Sequence, residues 1–233
     1  LSIHKTNWDF EAGETILLDK PLYWTSTDVV RKLKSVLRYA LSIKDIKIGH
    51  AGTLDPLASG LLIVCTGKHT KTIDQIQAMP KEYIANIRVG ATTPSYDLET
   101  EINSESEFLH ITESLVESAF TGFIGKIQQI PPLYSAKRID GKRAYKLARS
   151  GVEMELKPSE VEIYKLSIEK FELPYIDVRI ECSKGTYIRS FAHDLGIALQ
   201  SGAHLVGLRR TRIGEFAVED AIPVDDFEKN IKT

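Results

Sequence analysis

A chain of 233 residues can bury a sizeable core as one large domain or two small ones, and 42% hydrophobic with 27% charged residues excludes a disordered or fibrous protein. No apolar run approaches the ~20 residues of a membrane-spanning helix, and the start LSIHKTNWDF lacks the basic-then-apolar pattern of a secretion signal, so the cytoplasm is the expected compartment. The net charge of −2 gives no hint of a polyanionic partner, and two cysteines in apolar settings with no CxxC argue against a zinc site or a disulfide.

In chain order, Thr15–Leu18 reads as an opening strand that runs into Asp19-Lys20-Pro21. A helix is predicted over Ser26–Ala40, capped by Thr25, Ser26 or Thr27, with Val29, Val30, Leu33, Val36, Leu37 and Ala40 at helical spacing. Asp45–Pro56 is loop-like, with Gly49, Gly52 and an Asp-Pro step, and leads into an apolar strand, Leu61–Thr66. Glu82–Val89 alternates as a strand, Ser95–Glu107 reads as an irregular acidic connection, and a helix follows near Thr112–Thr121. The basic stretch after it holds a predicted helix at Ala144–Ser150. Two alternating strands come next, Glu160–Leu173 and Tyr175–Cys182, then a helix near Ile188–Gln200 that turns Phe191, Leu195 and Leu199 inward. Strand pairs with returning helices predict a mixed α+β sheet rather than a βαβ repeat, and no linker breaks the chain, so residues 1–233 read as a single domain.

Charge is segregated. Lys126, Lys137, Arg138, Lys142, Arg143, Lys146 and Arg149 face Asp140 alone, and Lys184, Arg189, Arg209, Arg210 and Arg212 face Asp194 alone. That pattern suits either a polyanion-binding face or two solvated faces. Thr66-Gly67-Lys68 resembles the end of a phosphate-binding loop, but the required earlier glycine is Leu62 and the hydroxyl position is His69, so it fails.

The segment Gly49-His50-Ala51-Gly52-Thr53-Leu54-Asp55-Pro56-Leu57-Ala58-Ser59-Gly60-Leu61-Leu62 carries the most information. An Asp-Pro step alone is an ordinary turn, since proline forces the preceding residue to extended geometry. A glycine-flanked carboxylate ahead of an apolar strand is also how a reactive group is presented from a rigid edge. The whole string resembles the catalytic-aspartate motif of the TruB family of pseudouridine synthases. Five further stretches resemble that family in the family's order: Leu18-Asp19-Lys20-Pro21 with Thr25-Ser26; Lys81-Glu82-Tyr83; Gln129-Ile130-Pro131-Pro132-Leu133-Tyr134-Ser135-Ala136-Lys137, with Gly141 and Ala144-Tyr145; Ser183-Lys184-Gly185-Thr186-Tyr187-Ile188-Arg189-Ser190; and Leu208-Arg209-Arg210-Thr211-Arg212-Ile213-Gly214.

The resemblance implies the pseudouridine synthase catalytic fold, an α+β domain with a mixed, mainly antiparallel central sheet and flanking helices and loops. It implies isomerisation of the T-loop uridine at position 55 of tRNA, with extrusion of the base and no cofactor or metal. It assigns the catalytic carboxylate to Asp55, its fixed cation to Arg189 and the base-stacking ring to Tyr83, with His50, Tyr187, Leu208 and Lys20 lining the pocket. Lys137, Arg138, Arg143, Arg209 and Arg210 are expected to contact RNA, the partner being the T-arm stem-loop of tRNA. No membrane and no protein partner are expected, and the chain is read as a monomer.

Without the motif each residue has a plainer reading: Arg189 as an ion pair, Tyr83, Tyr187 and Leu208 as packing, His50 and Lys20 as surface. The stretch TTPSYDLE at Thr92–Glu99 departs from the Thr/Asp/Gly-rich pattern of the family, which leaves its role open. The family's bacterial members continue into a C-terminal RNA-binding domain of PUA type, which is not expected here because the chain stops at Thr233. A tRNA-folding helper and a synthase for another RNA uridine remain as alternatives.

Overall fold

The run Leu61–Cys65 is apolar at every position, and each of its side chains is fully buried. Such a strand must be covered on both faces. In the structure, a computed structural model that describes residues 7–134, 138–139, 142–143 and 156–231, this is what happens. The run lies in β3 (Ala58–Thr66), which begins three residues earlier than the apolar run predicts. Chain contacts define two units, Leu1–Tyr83 with Leu208–Thr233, and Ile84–Gly207.

In the first unit β1 (Thr15–Lys20) runs antiparallel to β3, from Thr15 opposite Cys65 to Lys20 opposite Gly60. A short β2 (Ile48–His50) pairs antiparallel with the far end of β3, inside the stretch predicted as loop. The start of β3 pairs in parallel with β12 (Ala203–Ile213), Leu208 opposite Ala58 and Arg210 opposite Gly60. β13 (Phe216–Ala217) folds back on β12, and β14 (Ile222–Pro223) adds in parallel to β1.

Helix α1 (Ser26–Ala40) has the predicted bounds. Thr25 Oγ1 accepts the Asp28 N–H and the Asp28 carboxylate accepts the Thr25 N–H, each at 3.0 Å, a reciprocal capping box. Its Val29, Leu33, Val36 and Leu37 pack on Ile16, Leu18, Leu62 and Val64, and the cluster is closed by Ile222, Val224 and Phe227. The opposite face of the sheet buries Leu17, Leu61, Ile63 and Cys65 with Ile76 of α2 (Ile73–Ala78) and Ile213. The last helix, α5 (Phe227–Ile231), supplies Phe227 to the α1 cluster.

In the second unit β10 (Ser159–Glu172) and β11 (Tyr175–Cys182) form the predicted antiparallel pair, with β7 (Gly125–Gln129) on the outer side of β10. β4 (Lys81–Val89) buries alternate residues, and its Asn86 amide bonds the Asp177 carboxylate on β11. Short strands β5 (Ala91–Thr92) with β6 (Ser104–Glu105), and β8 (Arg138–Ile139) with β9 (Lys142–Arg143), form two-residue ladders. Helix α3 (Glu113–Phe120) is capped by Thr112, and its Phe120, with Phe123, meets Phe191 of α4 (Ile188–Ala198).

Among the described residues the sheet pairings are mainly antiparallel, with β1–β14 and β3–β12 among the parallel ones, so the α+β class is as expected. Both cysteines are buried thiols. The strands β2, β7 and β12 were not predicted, and the helix expected at Ala144–Ser150 lies outside the described residues.

Candidate active site

Asp55 sits half-buried in the turn between β2 and β3, and that turn is held from three directions. From below, Arg210 on β12 is buried to 1% exposure; its Nε donates to the Leu61 carbonyl at 2.8 Å and its Nη2 to the Gly52 carbonyl at 3.1 Å, with Nη1 3.5 Å from the Thr53 carbonyl. From the side, the hydroxyl of Ser26, at the start of α1, accepts the Leu54 N–H at 2.9 Å and donates to the Leu54 carbonyl at 3.2 Å. Within the turn the Ala58 N–H donates to the Asp55 carbonyl at 3.0 Å, and the Tyr23 N–H to that of Pro56 at 2.7 Å.

Gly60 makes the Arg210 clamp possible. Its φ is +102°, and a Cβ there would stand 2.3 Å from the Arg210 carbonyl oxygen, so only glycine lets β12 approach this closely.

Lys20 is fully buried at the end of β1 and donates to the carbonyls of Pro21 (2.9 Å) and Trp24 (2.6 Å). Burial pushes its pKa down to about 8; the Asp55 charge is the strongest influence pulling it back up, with Arg210 acting the other way. Lys20 is therefore a buried amine in electrostatic communication with Asp55, rather than a solvated lysine. Half-buried His50, at the end of β2, has its pKa lowered by burial and then by the Arg210 charge, which favours the neutral ring. Tyr83 is buried on β4, and half-buried Leu208 sits on β12 in register with Ala58.

Arg189 and Tyr187 belong to the second unit. Arg189, the second residue of α4, has a side chain 6% exposed with its Nη1 3.4 Å from the Asp97 carboxylate. The N-terminus of α4 is pinned from β7. The Gln129 side-chain amide donates to the Tyr187 carbonyl (3.0 Å) while its oxygen accepts the Tyr187 N–H (2.8 Å), and Ser190 Oγ donates to the Ile130 carbonyl (2.7 Å). Gln129 and Ile130 of the Gln-Ile-Pro-Pro stretch thus act on backbone geometry around Arg189.

Asp97 is not singled out by the sequence, because it lies in the stretch that departs from the family pattern. That stretch proves to be tightly built. The hydroxyls of Thr93 (2.6 Å) and Ser95 (3.2 Å) donate to the Asp97 carbonyl, and Asp97 Oδ1 accepts the Glu99 N–H at 2.9 Å. Tyr96 adopts φ +62° and stacks on His193 of α4 at 3.9 Å between ring centroids. The available signal was chemical: a motif arginine that is buried requires a carboxylate.

Of the arginines expected on RNA, Arg210 is corrected: its guanidinium is spent on carbonyls inside the first unit, which leaves no surface for a phosphate. Arg209, the next residue along the strand and on the opposite face, is partly exposed and forks Asp19 at 3.0 and 2.7 Å. Arg138 and Arg143 stand opposite each other across the β8–β9 ladder, and Lys137 lies outside the described residues. Among the described residues no group of three or more His, Cys, Asp or Glu is placed to hold a metal ion, and no helix is long and apolar enough to cross a membrane.

Comparison with known proteins gives consistent matches. A family model described as TruB family pseudouridylate synthase (N terminal domain) matches residues 38–188, and one described as tRNA pseudouridylate synthase B C-terminal domain matches residues 189–233. The tRNA pseudouridine synthase B of Parabacteroides distasonis is 53% identical over 227 residues, covering 96% of this chain and 97% of its own. That of Flavobacterium johnsoniae is 48% identical over 225 residues, covering 96% and 98%. Among solved structures, a chain of the "Crystal Structure of a Cbf5-Nop10-Gar1 Complex" superposes with a TM-score of 0.69 at 29% identity, covering 97% of this chain and 60% of that one. A chain of the "Structure of H/ACA RNP bound to a substrate RNA containing 2'-deoxyuridine" gives 0.68 at 28%, covering 94% and 53%. This chain spans little more than half the length of those solved chains, but nearly all of its curated relatives. With motifs, fold and near-full-length identity in agreement, the chain belongs to the TruB family of pseudouridylate synthases.

Proposed function

We propose that this chain converts the T-loop uridine at position 55 of tRNA into pseudouridine, with Asp55 as the catalytic carboxylate, no cofactor and no protein partner. The reaction breaks the uridine N1–C1′ bond, turns the base and joins C5 to C1′. C5 gives up a proton and N1 ends with one, so the product is an isomer, and neither oxidant, water nor nucleotide is consumed. What the chemistry requires is a carboxylate able to add to C1′ or C6, or to steady a cationic sugar, in a site that expels water.

The observation that carries this reading is the mounting of Asp55. A turn fixed by Arg210, Ser26 and the close approach at Gly60 holds a carboxylate in one geometry without rearrangement, as catalysis demands. Arg189 supplies the fixed positive charge that favours an ionised nucleophile, an assignment that rests on the family resemblance and is supported by its burial on a pinned helix terminus. Tyr83 stacks on the extruded uracil, worth about 1–3 kcal/mol against the few needed to unstack it. The family resemblance assigns the lining of the pocket to His50, Tyr187, Leu208 and Lys20.

The test is pseudouridine mapping on unmodified tRNA, without added metal or nucleotide, for the unmutated protein and for Asp55→Asn. Product at the T-loop uridine is expected with the unmutated protein, and a loss exceeding about 10³-fold with Asp55→Asn. A fully active Asp55→Asn would remove Asp55 from the mechanism; tRNA binding without product from either protein would favour a folding helper.

A further inference from the structure

The end of α1 carries a cationic cavity that none of the residues above occupies. It has a volume of about 560 Å3 and is lined by Lys34, Arg38, Tyr39, Lys44, Asp45 and Lys47, among others. Because α1 buries Val29, Leu33, Val36 and Leu37, positions 34 and 38 fall on its outer face, one turn apart. The chain then returns through Lys44 and Lys47, so four exposed cations gather around a single acid on a protein whose net charge is −2.

Like charges brought together this way repel, and a bound polyanion relieves the repulsion. The cavity also has an aromatic wall. Tyr39 stands 79% exposed, with the Arg38 guanidinium 5.8 Å from its ring centroid.

 Cations beside an exposed ring are the two elements from which single-stranded and loop RNA sites are built, the charges for phosphates and the ring for an unpaired base. The walls are preset: the Ile43 N–H donates to the Leu37 carbonyl (3.1 Å) at one end of the connecting loop, and the Gly67 N–H to the Lys47 carbonyl (2.9 Å) at the other.

We propose that this cavity is a second RNA contact of the enzyme, in which Lys34, Arg38, Lys44 and Lys47 hold backbone phosphates and Tyr39 stacks on an unpaired base. The inference rests on the RNA reading of the active site. Lys47 precedes Asp55 by eight residues, a span of at most about 29 Å when fully extended, so one folded RNA can reach both places.

The test compares the unmutated protein with K34E/K44E, K34Q/K44Q and Y39A, all changed at exposed positions, for binding of an unmodified tRNA transcript across a KCl series. Both double variants are expected to bind more weakly, K34E/K44E by about tenfold or more near physiological salt. Both should also reduce the slope of log K against log[salt] by about 1.4–1.8, the loss of two phosphate contacts. Y39A is expected to weaken binding several-fold at unchanged slope. Unchanged affinity and slope in K34Q/K44Q would overturn the proposal, because an effect confined to the Glu pair is long-range repulsion. Loss of binding to anionic phosphatidylglycerol vesicles with tRNA affinity intact would overturn it in favour of a lipid site. Failure of the functional reading looks different: the unmutated protein would bind tRNA with the full salt slope yet form no pseudouridine.

Discussion

At the scale of single residues, Lys20 is the group whose chemistry the fold alters most visibly. Its pKa falls from 10.5 to about 8, so between those values the unfolded chain binds the proton more tightly than the folded one. Stability contributed through this group therefore rises as pH climbs from about 8 to 10.5, by on the order of 3 kcal/mol. Denaturation midpoints measured over that range should rise less steeply for Lys20→Met than for the unmutated protein. Because the Asp55 charge raises the Lys20 pKa, Asp55→Asn is expected to drop it further below 8, which lysine 13C NMR would read directly. Asp97 offers a second test. Removing its charge with Asp97→Asn weakens a buried ion pair and is expected to cost about 3 kcal/mol, seen as a lower urea midpoint at unchanged slope.

At the scale of elements, the close contact between β3 and β12 depends on Gly60. Gly60→Ala places a Cβ 2.3 Å from a backbone oxygen at a φ of +102°, so it is expected to cost about 3 kcal/mol or more and to slow pseudouridine formation by loosening the Arg210 clamp. Chemical denaturation and single-turnover rates measure the two effects. The same contact shows where the sequence is legible and where it is not. Helix α1 is readable because cap, first turn and apolar period are all local. β12 is not, since AHLVGLRRTRI mixes a glycine and three arginines into what would otherwise alternate, and Arg210 points inward only because carbonyls of a distant turn receive it. β7, GKIQQ, has one apolar side chain in five residues and becomes a strand through its partner β10. The motif singles out Asp55 and Arg189 as candidates, but the residues that hold their surroundings, Arg210, Ser26, Gln129 and Asp97, are visible only in long-range contacts.

At the scale of the molecule, the family models divide the chain between residues 188 and 189, within the first turn of α4, whereas the chain's own contacts divide it at Tyr83 and Gly207. Sequence families and packing units need not share boundaries. The segment from Leu208 onward closes both cores of the first unit, through Ile213 on one face of the sheet and Ile222, Val224 and Phe227 on the other. A chain ending at Gly207 is thus expected to lose protection from hydrogen exchange throughout β1, β3 and α1, well beyond fraying at the new end.

That discontinuity also sets an order of events on the ribosome. Ile84–Gly207 is one uninterrupted stretch, while the unit bearing Asp55 is made of the first and last parts of the chain. During synthesis the middle of the protein can settle while the opening strands still await their partner, for as long as the intervening residues take to be translated at roughly 5–20 per second. The Asp55 turn, although encoded early, acquires its arginine clamp only when residue 210 emerges, so a nascent or prematurely terminated chain carries the Asp-Pro motif without the means to hold it in place.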